Sequence, residues 1–298
     1  LNQGRNDNNL QDFVLMTSTP KIVRNDQDLR SITRAWRADG AKSAIVPTMG
    51  ALHDGHLALV NEAFKRAEHV IVSIFVNPKQ FGPTEDLERY PRNEAADRDL
   101  LAMADVDIIY APSSLDMYPP NFVTTVSIAG PAKVGLEDKF RPHFLTGVTT
   151  VVAKLLISAD CDFAMFGEKD YQQLKVVSQM VRDLNIATVI IPCTTVREAD
   201  GLALSSRNAY LSTRDRQLAP QLNQILMKVA QKIAGGRRPR SVLATARRDL
   251  EAAGFRVDYL VVRNADTLEP VKTAREPQRV LAAAWLGKTR LIDNVAVP

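Results

Sequence analysis

Two of the chain's four histidines, His53 and His56, fall in one short run, Ile45-Val46-Pro47-Thr48-Met49-Gly50-Ala51-Leu52-His53-Asp54-Gly55-His56-Leu57. Imidazoles three residues apart can donate hydrogen bonds to the oxygens of an anion, and Gly50 and Gly55 let backbone approach a phosphate closely. As zinc ligands the pair lacks a third partner, because His69 and His143 lie in unrelated segments. As ordinary surface histidines they would leave the glycine spacing without a reason. Gly287-Lys288-Thr289 imitates the end of a phosphate-binding P-loop, but Ala282 stands where the motif requires glycine.

Other side chains suited to chemistry are spread along the chain. Gln80 sits in Asn77-Pro78-Lys79-Gln80-Phe81-Gly82, Lys169 in Gly167-Glu168-Lys169-Asp170, and Arg207 in Leu204-Ser205-Ser206-Arg207-Asn208. Taken singly, these read equally well as a loop glutamine, a solvated charge cluster and a linker. Arg89 and Arg92, around Tyr90-Pro91, read as structural or lid residues.

The elements that must position these groups follow from hydrophobic periodicity. A short apolar run ends at Pro47, a turn follows, and Leu57, Val60, Phe64 and Ala67 then share one helical face. A strand, a glycine turn and a helix N-terminus leave backbone N–H groups free to meet an anion. The spacing predicts helices over residues 26–38, 56–67, 94–103, 149–158 and 171–183. Strands are expected at 42–47 (the first), 70–76, 106–110, 162–166 and 189–191. This alternation implies βαβ units, hence a Rossmann-like, doubly wound parallel sheet with ligands beyond the C-terminal strand ends.

Beyond Asn208 the composition shifts. Residues 213–234 and 241–253 read as helices flanking a basic turn, and 257–262, 279–285 and 290–292 as strands. The expected organisation is a catalytic domain over residues 19–208 and a smaller C-terminal α+β lid domain over 209–298. Residues 1–18, rich in Asn, Gln and Asp, read as a flexible or appended tail, with Met16 a candidate natural start.

Composition bounds the class. The 298 residues contain 45% hydrophobic and 24% charged side chains, enough apolar content for a substantial core. The 38 basic and 34 acidic residues leave +4, compatible with an anionic ligand and short of a nucleic-acid platform. No apolar run reaches the roughly 20 residues that span a bilayer, and nothing resembles a secretory signal. Cys161 and Cys193 lie in apolar segments and read as buried free thiols of a reducing compartment. A soluble, cytoplasmic protein with no nucleic-acid or membrane partner is expected.

His53-Asp54-Gly55-His56 resembles the His-x-Gly-His signature of nucleotidyltransferases and class I aminoacyl-tRNA synthetases. Together with Ile74-Phe75-Val76-Asn77-Pro78-Lys79-Gln80-Phe81, Gly167-Glu168-Lys169-Asp170 and Leu204-Ser205-Ser206-Arg207-Asn208, it closely resembles the pantoate–β-alanine ligases, also called pantothenate synthetases. The likeness runs from Ile45 to Asn208 and more loosely to Arg290-Leu291-Ile292-Asp293-Asn294. One departure stands out. The family commonly reads Arg-Pro-Gly-His-Phe-x-Gly-Val, whereas this chain has Arg141-Pro142-His143-Phe144-Leu145-Thr146-Gly147-Val148, so Phe144 takes the histidine's position and no binding role is carried onto His143.

The resemblance implies condensation of pantoate with β-alanine using ATP and Mg²⁺, through an enzyme-bound pantoyl adenylate, with release of pyrophosphate and AMP. It implies that ATP is bound by Pro47, Thr48, Met49, Gly50, Ala51, Leu52, His53, Asp54, Gly55 and His56, and by Gly167, Glu168, Lys169, Asp170, Val196, Leu204, Ser205, Ser206 and Arg207. Gln80 and Gln173 would hold pantoate, and Gln80 also β-alanine. His56, His53, Lys169 and Arg207 would be the catalytic groups, with His56 a proton donor. Mg²⁺ would be held mainly through the phosphates. Family members are usually homodimers, so a homodimer is expected.

These residue types suit the chemistry. Pantoate's carboxylate, with a reference pKa near ~4, is already ionised at neutral pH, so activation needs no base. It needs in-line positioning and compensation of phosphate charge, which Lys169, Arg207 and hydrogen-bonding imidazoles can supply. Glutamines offer donors and acceptors to a substrate with two hydroxyls and a carboxylate. The β-alanine ammonium, with a reference near ~10, must lose a proton before it attacks, and the sequence identifies no base for that. A phospho-substrate nucleotidyltransferase would leave Gln80 and Gln173 unexplained. A non-catalytic nucleotide- or RNA-binding protein would want a basic, aromatic patch that the chain lacks.

Overall fold

The computed structural model describes residues 19–83 and 85–298, and the tail expected over residues 1–18 lies outside the described residues. The first half alternates strands and helices: β1 (Lys21–Val23), α1 (Asp26–Ala38), β2 (Ser43–Thr48), α2 (Asp54–Phe64), β3 (His69–Ile74), α3 (Glu94–Met103) and β4 (Ile108–Tyr110). Two one-turn helices, α4 (Ser114–Met117) and α5 (Glu137–Phe140), precede α6 (Phe144–Ala159), β5 (Phe163–Gly167), α7 (Tyr171–Asp183) and β6 (Val189–Cys193). The C-terminal part holds α8 (Thr213–Leu218), α9 (Gln221–Ala234), α10 (Pro239–Ala252), β7 (Phe255–Asn264), β8 (Gln278–Leu286) and β9 (Thr289–Ala296).

The first six strands form one parallel sheet in the order β1-β4-β3-β2-β5-β6. Its central strands are covered on both faces, which is why they read as continuous apolar runs. Along β2, Ala44 and Val46 face a layer containing Val60 and Leu101, while Ile45 faces the layer of α1, α6 and α7. The chain winds outward from β2 in one direction and from β5 in the other, so the switch point lies between these neighbours. Their C-terminal ends are where a doubly wound sheet opens a crevice for a ligand.

A separate antiparallel sheet, β7-β8-β9, carries α9 and α10 on one face through Leu260, Val262, Val280, Ala282 and Ala284. Tyr259, Leu281 and Ala283 alternate with these residues and join the core of the parallel sheet. Part-buried ion pairs accompany that seam. Arg290 reaches Glu137 at 2.8 Å and Asp258 at 2.9 Å, and Arg197 meets Asp293 at 2.8 Å.

Several boundaries differ from the sequence expectation: α2 spans Asp54–Phe64 rather than 56–67 and β9 Thr289–Ala296 rather than 290–292, and three further differences have a clear physical reason. The first strand is Lys21–Val23 rather than residues 42–47, because three residues paired to β4 are too few to show a pattern. Helix α6 begins at Phe144 instead of 149: it is buried on most of its faces and shows no amphipathic stripe to mark its start. The helix expected over 213–234 is two, broken at Pro220, which cannot donate an N–H and crowds the preceding turn.

Candidate active site

At the switch point β2 runs into Met49–His53, and α2 starts at once. His53 is the N-cap of α2, its Nδ1 accepting the Gly55 N–H at 3.1 Å. His56 Nδ1 accepts the His53 N–H at 3.3 Å, and the two rings lie 4.1 Å apart. With each Nδ1 occupied as an acceptor, both rings carry their proton on Nε2 and present it as a donor. Burial, with the charges of His53 and Lys169 beside it, pushes the His56 imidazolium down to about 3. His53 is lowered for the same main reason, burial, and then by Lys169. At neutral pH both are uncharged hydrogen-bond donors.

These rings line a chamber of about 240 Å³. On its wall are Pro47, Thr48, Met49, His53, Gly55, His56, Gly167, Lys169, Asp170, Val196, Leu204, Ser205, Ser206 and Arg207, with Gln80 and Gln173 among them. Three distant sequence motifs thus share one cavity with the histidine turn. Gly50, Ala51, Leu52, Asp54 and Glu168 are not on this wall. Gly50 donates to Thr48 Oγ1, and the N–H groups of Ala51 and Leu52 donate to the Asp97 carboxyl group. Asp54 is exposed on α2, and Glu168 turns to Arg279 at 3.1 Å.

The glutamine end is a network of uncharged groups. The Gln80 amide accepts from Asn77 Nδ2 at 3.0 Å and donates to Met49 Sδ at 3.0 Å. Asn77 also donates to the Gly147 carbonyl at 3.1 Å and accepts from Tyr118 Oη at 2.8 Å. Gly147 permits this contact, since a Cβ there would stand 2.2 Å from the Lys79 carbonyl oxygen. Phe144 lines the chamber, whereas His143 stands at the helix start with Nε2 3.6 Å from Glu85. The shifted histidine is therefore replaced at the wall by a phenyl ring.

The opposite end is charged. Arg207 is held by two bonds to Asp86, both at 2.9 Å, and Arg141 by two to Glu85 at 2.9 and 2.7 Å. Burial works against charge on both Arg207 and Asp86, yet their hydrogen bonds prevail, raising the arginine and lowering the carboxylate. Lys169 Nζ is 3.8 Å from Asp170, a looser pairing. Ser206 Oγ donates to the Ala51 carbonyl at 3.1 Å and ties this loop to the histidine turn. A second cleft of about 610 Å³, between the two sheets' domains, shares Arg141, Lys169, Asp170, Ser205 and Arg207 with the chamber.

Asn77, Asp86, Tyr90, Arg141 and Thr194 were not singled out from sequence as site residues, and their local patterns are those of ordinary loops and turns. Arg92 donates to the carbonyls of Leu87, Glu88 and Tyr90, whereas the Arg89 guanidinium lies over the Tyr210 ring on the wall of the second cleft. His69 stacks on Trp36 and bonds Asp107, remote from the other histidine pair.

A parallel sheet with neutral histidines and a lysine at its switch point defines a nucleotide-using α/β protein. The family model for Pantoate-beta-alanine ligase matches residues 21–296. The chain is 52% identical to a pantothenate synthetase of Mesorhizobium japonicum over 94% of this chain and 99% of that one. It is 51% identical to that of Caulobacter vibrioides, covering 95% and 100%. Among solved structures, a Thermus thermophilus enzyme superposes with a TM-score of 0.88 at 43% identity, covering 93% of this chain and 99% of that one. A Francisella tularensis pantoate-beta-alanine ligase, complexed with beta-gamma ATP and beta-alanine, gives 0.79 at 35%, covering 93% and 97%. The chain belongs to the pantoate–β-alanine ligase family.

Proposed function

We propose that the chamber joins pantoate to β-alanine in two steps. A carboxylate oxygen of pantoate attacks the α-phosphorus of ATP, the bond to pyrophosphate breaks, and a pantoyl adenylate remains. The β-alanine nitrogen then attacks the acyl carbon, and AMP leaves with the former carboxylate oxygen. The observation that carries this reading is the meeting, in one chamber, of two neutral imidazole donors and Lys169 with Gln80 and Gln173.

ATP lies against the chamber-lining parts of Pro47–His56, Gly167–Asp170, Val196 and Leu204–Arg207. His56, His53, Lys169 and Arg207 offset the charge that builds on the phosphates. Neutral donors suit this task, because they favour an oxyanion without costing a proton transfer. Gln80 and Gln173 hold pantoate, and Gln80 faces the incoming β-alanine. His56, held near 3, is too weak a base to take the proton that the β-alanine ammonium must lose.

Mg²⁺ would offset phosphate charge when bound. Among the described residues no three His, Cys, Asp or Glu side chains group to hold a metal, so the phosphate oxygens would supply most ligands and Asp170 the nearest wall carboxylate. Residues 209–298 act as a lid in this reading, supported by their share of the cleft wall, Arg256 and Lys288 among it. A homodimer is part of the proposal, with Val123, 90% exposed, among the apolar groups available to a second copy. A cytoplasmic location fits the buried free thiols Cys161 and Cys193, and among the described residues no helix is long and apolar enough to cross a membrane.

The test supplies ATP, Mg²⁺, pantoate and β-alanine and follows pyrophosphate, AMP and pantothenate. Pyrophosphate is expected only with pantoate, and amide only with both acids. No pyrophosphate in the full mixture would overturn the reading.

A further inference from the structure

Helix α3 places nothing on the chamber wall, yet one of its side chains reaches the histidine turn. Asp97 is 4% exposed. Its Oδ2 accepts the Ala51 N–H at 3.0 Å and its Oδ1 accepts the Leu52 N–H at 2.8 Å. Gly50 and Ala51 have φ of 78° and 50°, two successive left-handed residues. The carboxyl group is packed directly on this turn, since a Cβ on Gly50 would stand 2.9 Å from Oδ2. Turns of this kind aim neighbouring N–H groups into a concavity that takes an anion. Here the chain fills that concavity with its own carboxyl group.

Two consequences follow for the reaction. The amides of Ala51 and Leu52 are withdrawn from any phosphate, so the phosphate-facing donors of the turn are the rings of His53 and His56. Those rings are oriented by the His53 and Gly55 N–H groups, which begin one residue beyond Leu52. The Ala51 conformation, costly for a residue with a Cβ, is held by Asp97 at its N–H and by Ser206 at its carbonyl.

We propose that Asp97 is a positioning residue for the adenylyl-transfer step, acting through the Ala51 and Leu52 amides to aim both imidazoles. The proposal rests on the ligase reading of the chamber. In Asp97→Asn the side-chain oxygen can still accept one amide, but its NH₂ group faces the other donor. Single-turnover pyrophosphate formation should fall on the order of 10²-fold, the scale of a displacement of about 1 Å in a reacting group. The KM for pantoate should change far less, because Asn77, outside the histidine turn, also holds Gln80.

The discriminating readout is the imidazole ¹⁵N spectrum at neutral pH. In the parent protein His53 and His56 should show fixed Nε2–H tautomers. In Asp97→Asn these two should shift toward tautomer averaging while His69 and His143 stay put. Asp97→Ala should lose activity likewise and regain both rate and spectrum with added formate, which can occupy the vacated carboxyl position. A folded Asn variant with unchanged histidine spectra, or with parental rate, overturns the proposal. If the Asn variant does not fold, Asp97→Ala decides, and failure of formate to restore the spectrum overturns it. Should the parent chain form no pyrophosphate, the ligase reading fails instead, and the substrate-free spectra still decide whether Asp97 sets the rings.

Discussion

At the Gln80 end of the chamber, uncharged groups hold one another, whereas at the Arg207 end arginines are held by carboxylates. Asn77, Gln80, Met49, Tyr118 and the Gly147 carbonyl form a network in which each group has a stated partner. A fully paired network of this kind is rigid in the absence of substrate. Arg207 on Asp86 and Arg141 on Glu85 are different, because a phosphate arriving there would compete with the carboxylate for the same guanidinium. Lys169, only 3.8 Å from Asp170, lies between these extremes. In the proposed reaction one end would meet a neutral-rimmed acid with its network already formed, and the other would exchange internal anions for external ones.

The largest effects should come from the histidine turn and from Lys169 at the charged end. His56→Ala should slow single-turnover pyrophosphate release by ~10²–10³-fold in a protein that remains folded, the scale of one lost charge-stabilising donor. Lys169→Ala should slow the same step, and a defect confined to amide formation would remove its phosphate role. His56 also has a signature in stability. Between about 3 and 6.5 the unfolded chain takes up a proton at His56 that the folded chain refuses, so stability should fall as pH is lowered across that window. Denaturant titrations of His56→Gln should show a flatter profile there.

At the neutral end the sharpest perturbation is Gly147→Ala, which places a Cβ 2.2 Å from the Lys79 carbonyl oxygen. It should cost about 3 kcal/mol of stability or more, the upper end of overpacking because the crowded atoms are backbone, and raise the KM for pantoate while leaving that for ATP alone. Equal rises in both would erase the distinction between the ends. A smaller effect is expected from Asp86→Asn. Freeing Arg207 from a pair worth about 1 kcal/mol should tighten ATP by roughly fivefold or less in equilibrium binding. Weaker ATP binding would instead make Asp86 a support for Arg207 rather than its competitor.

The parallel-sheet half was largely legible in sequence because its central strands are buried on both faces and its amphipathic helices announce their period: α1, α3 and α7 begin and end at the expected residues. Helix α6 was not, because burial around its circumference erases the period. The motifs located the chamber but not its internal wiring. Nothing local to the Asn93–Met103 stretch distinguishes Asp97 from its acidic neighbours Asp99 and Glu94. Its partners Ala51 and Leu52 lie 46 and 45 residues away. The same holds for Asp86 and Arg207, 121 residues apart. Long-range pairing of a charged side chain leaves no periodic trace.

The central claim is that pantoate's carboxylate is activated as an acyl adenylate. It is tested most directly by running the reaction with pantoate labelled with ¹⁸O in both carboxylate oxygens and examining the products by mass spectrometry. The account predicts one ¹⁸O in AMP for each pantothenate formed and none in pyrophosphate. Label in inorganic phosphate with ADP as the nucleotide product, or unlabelled AMP, would contradict it.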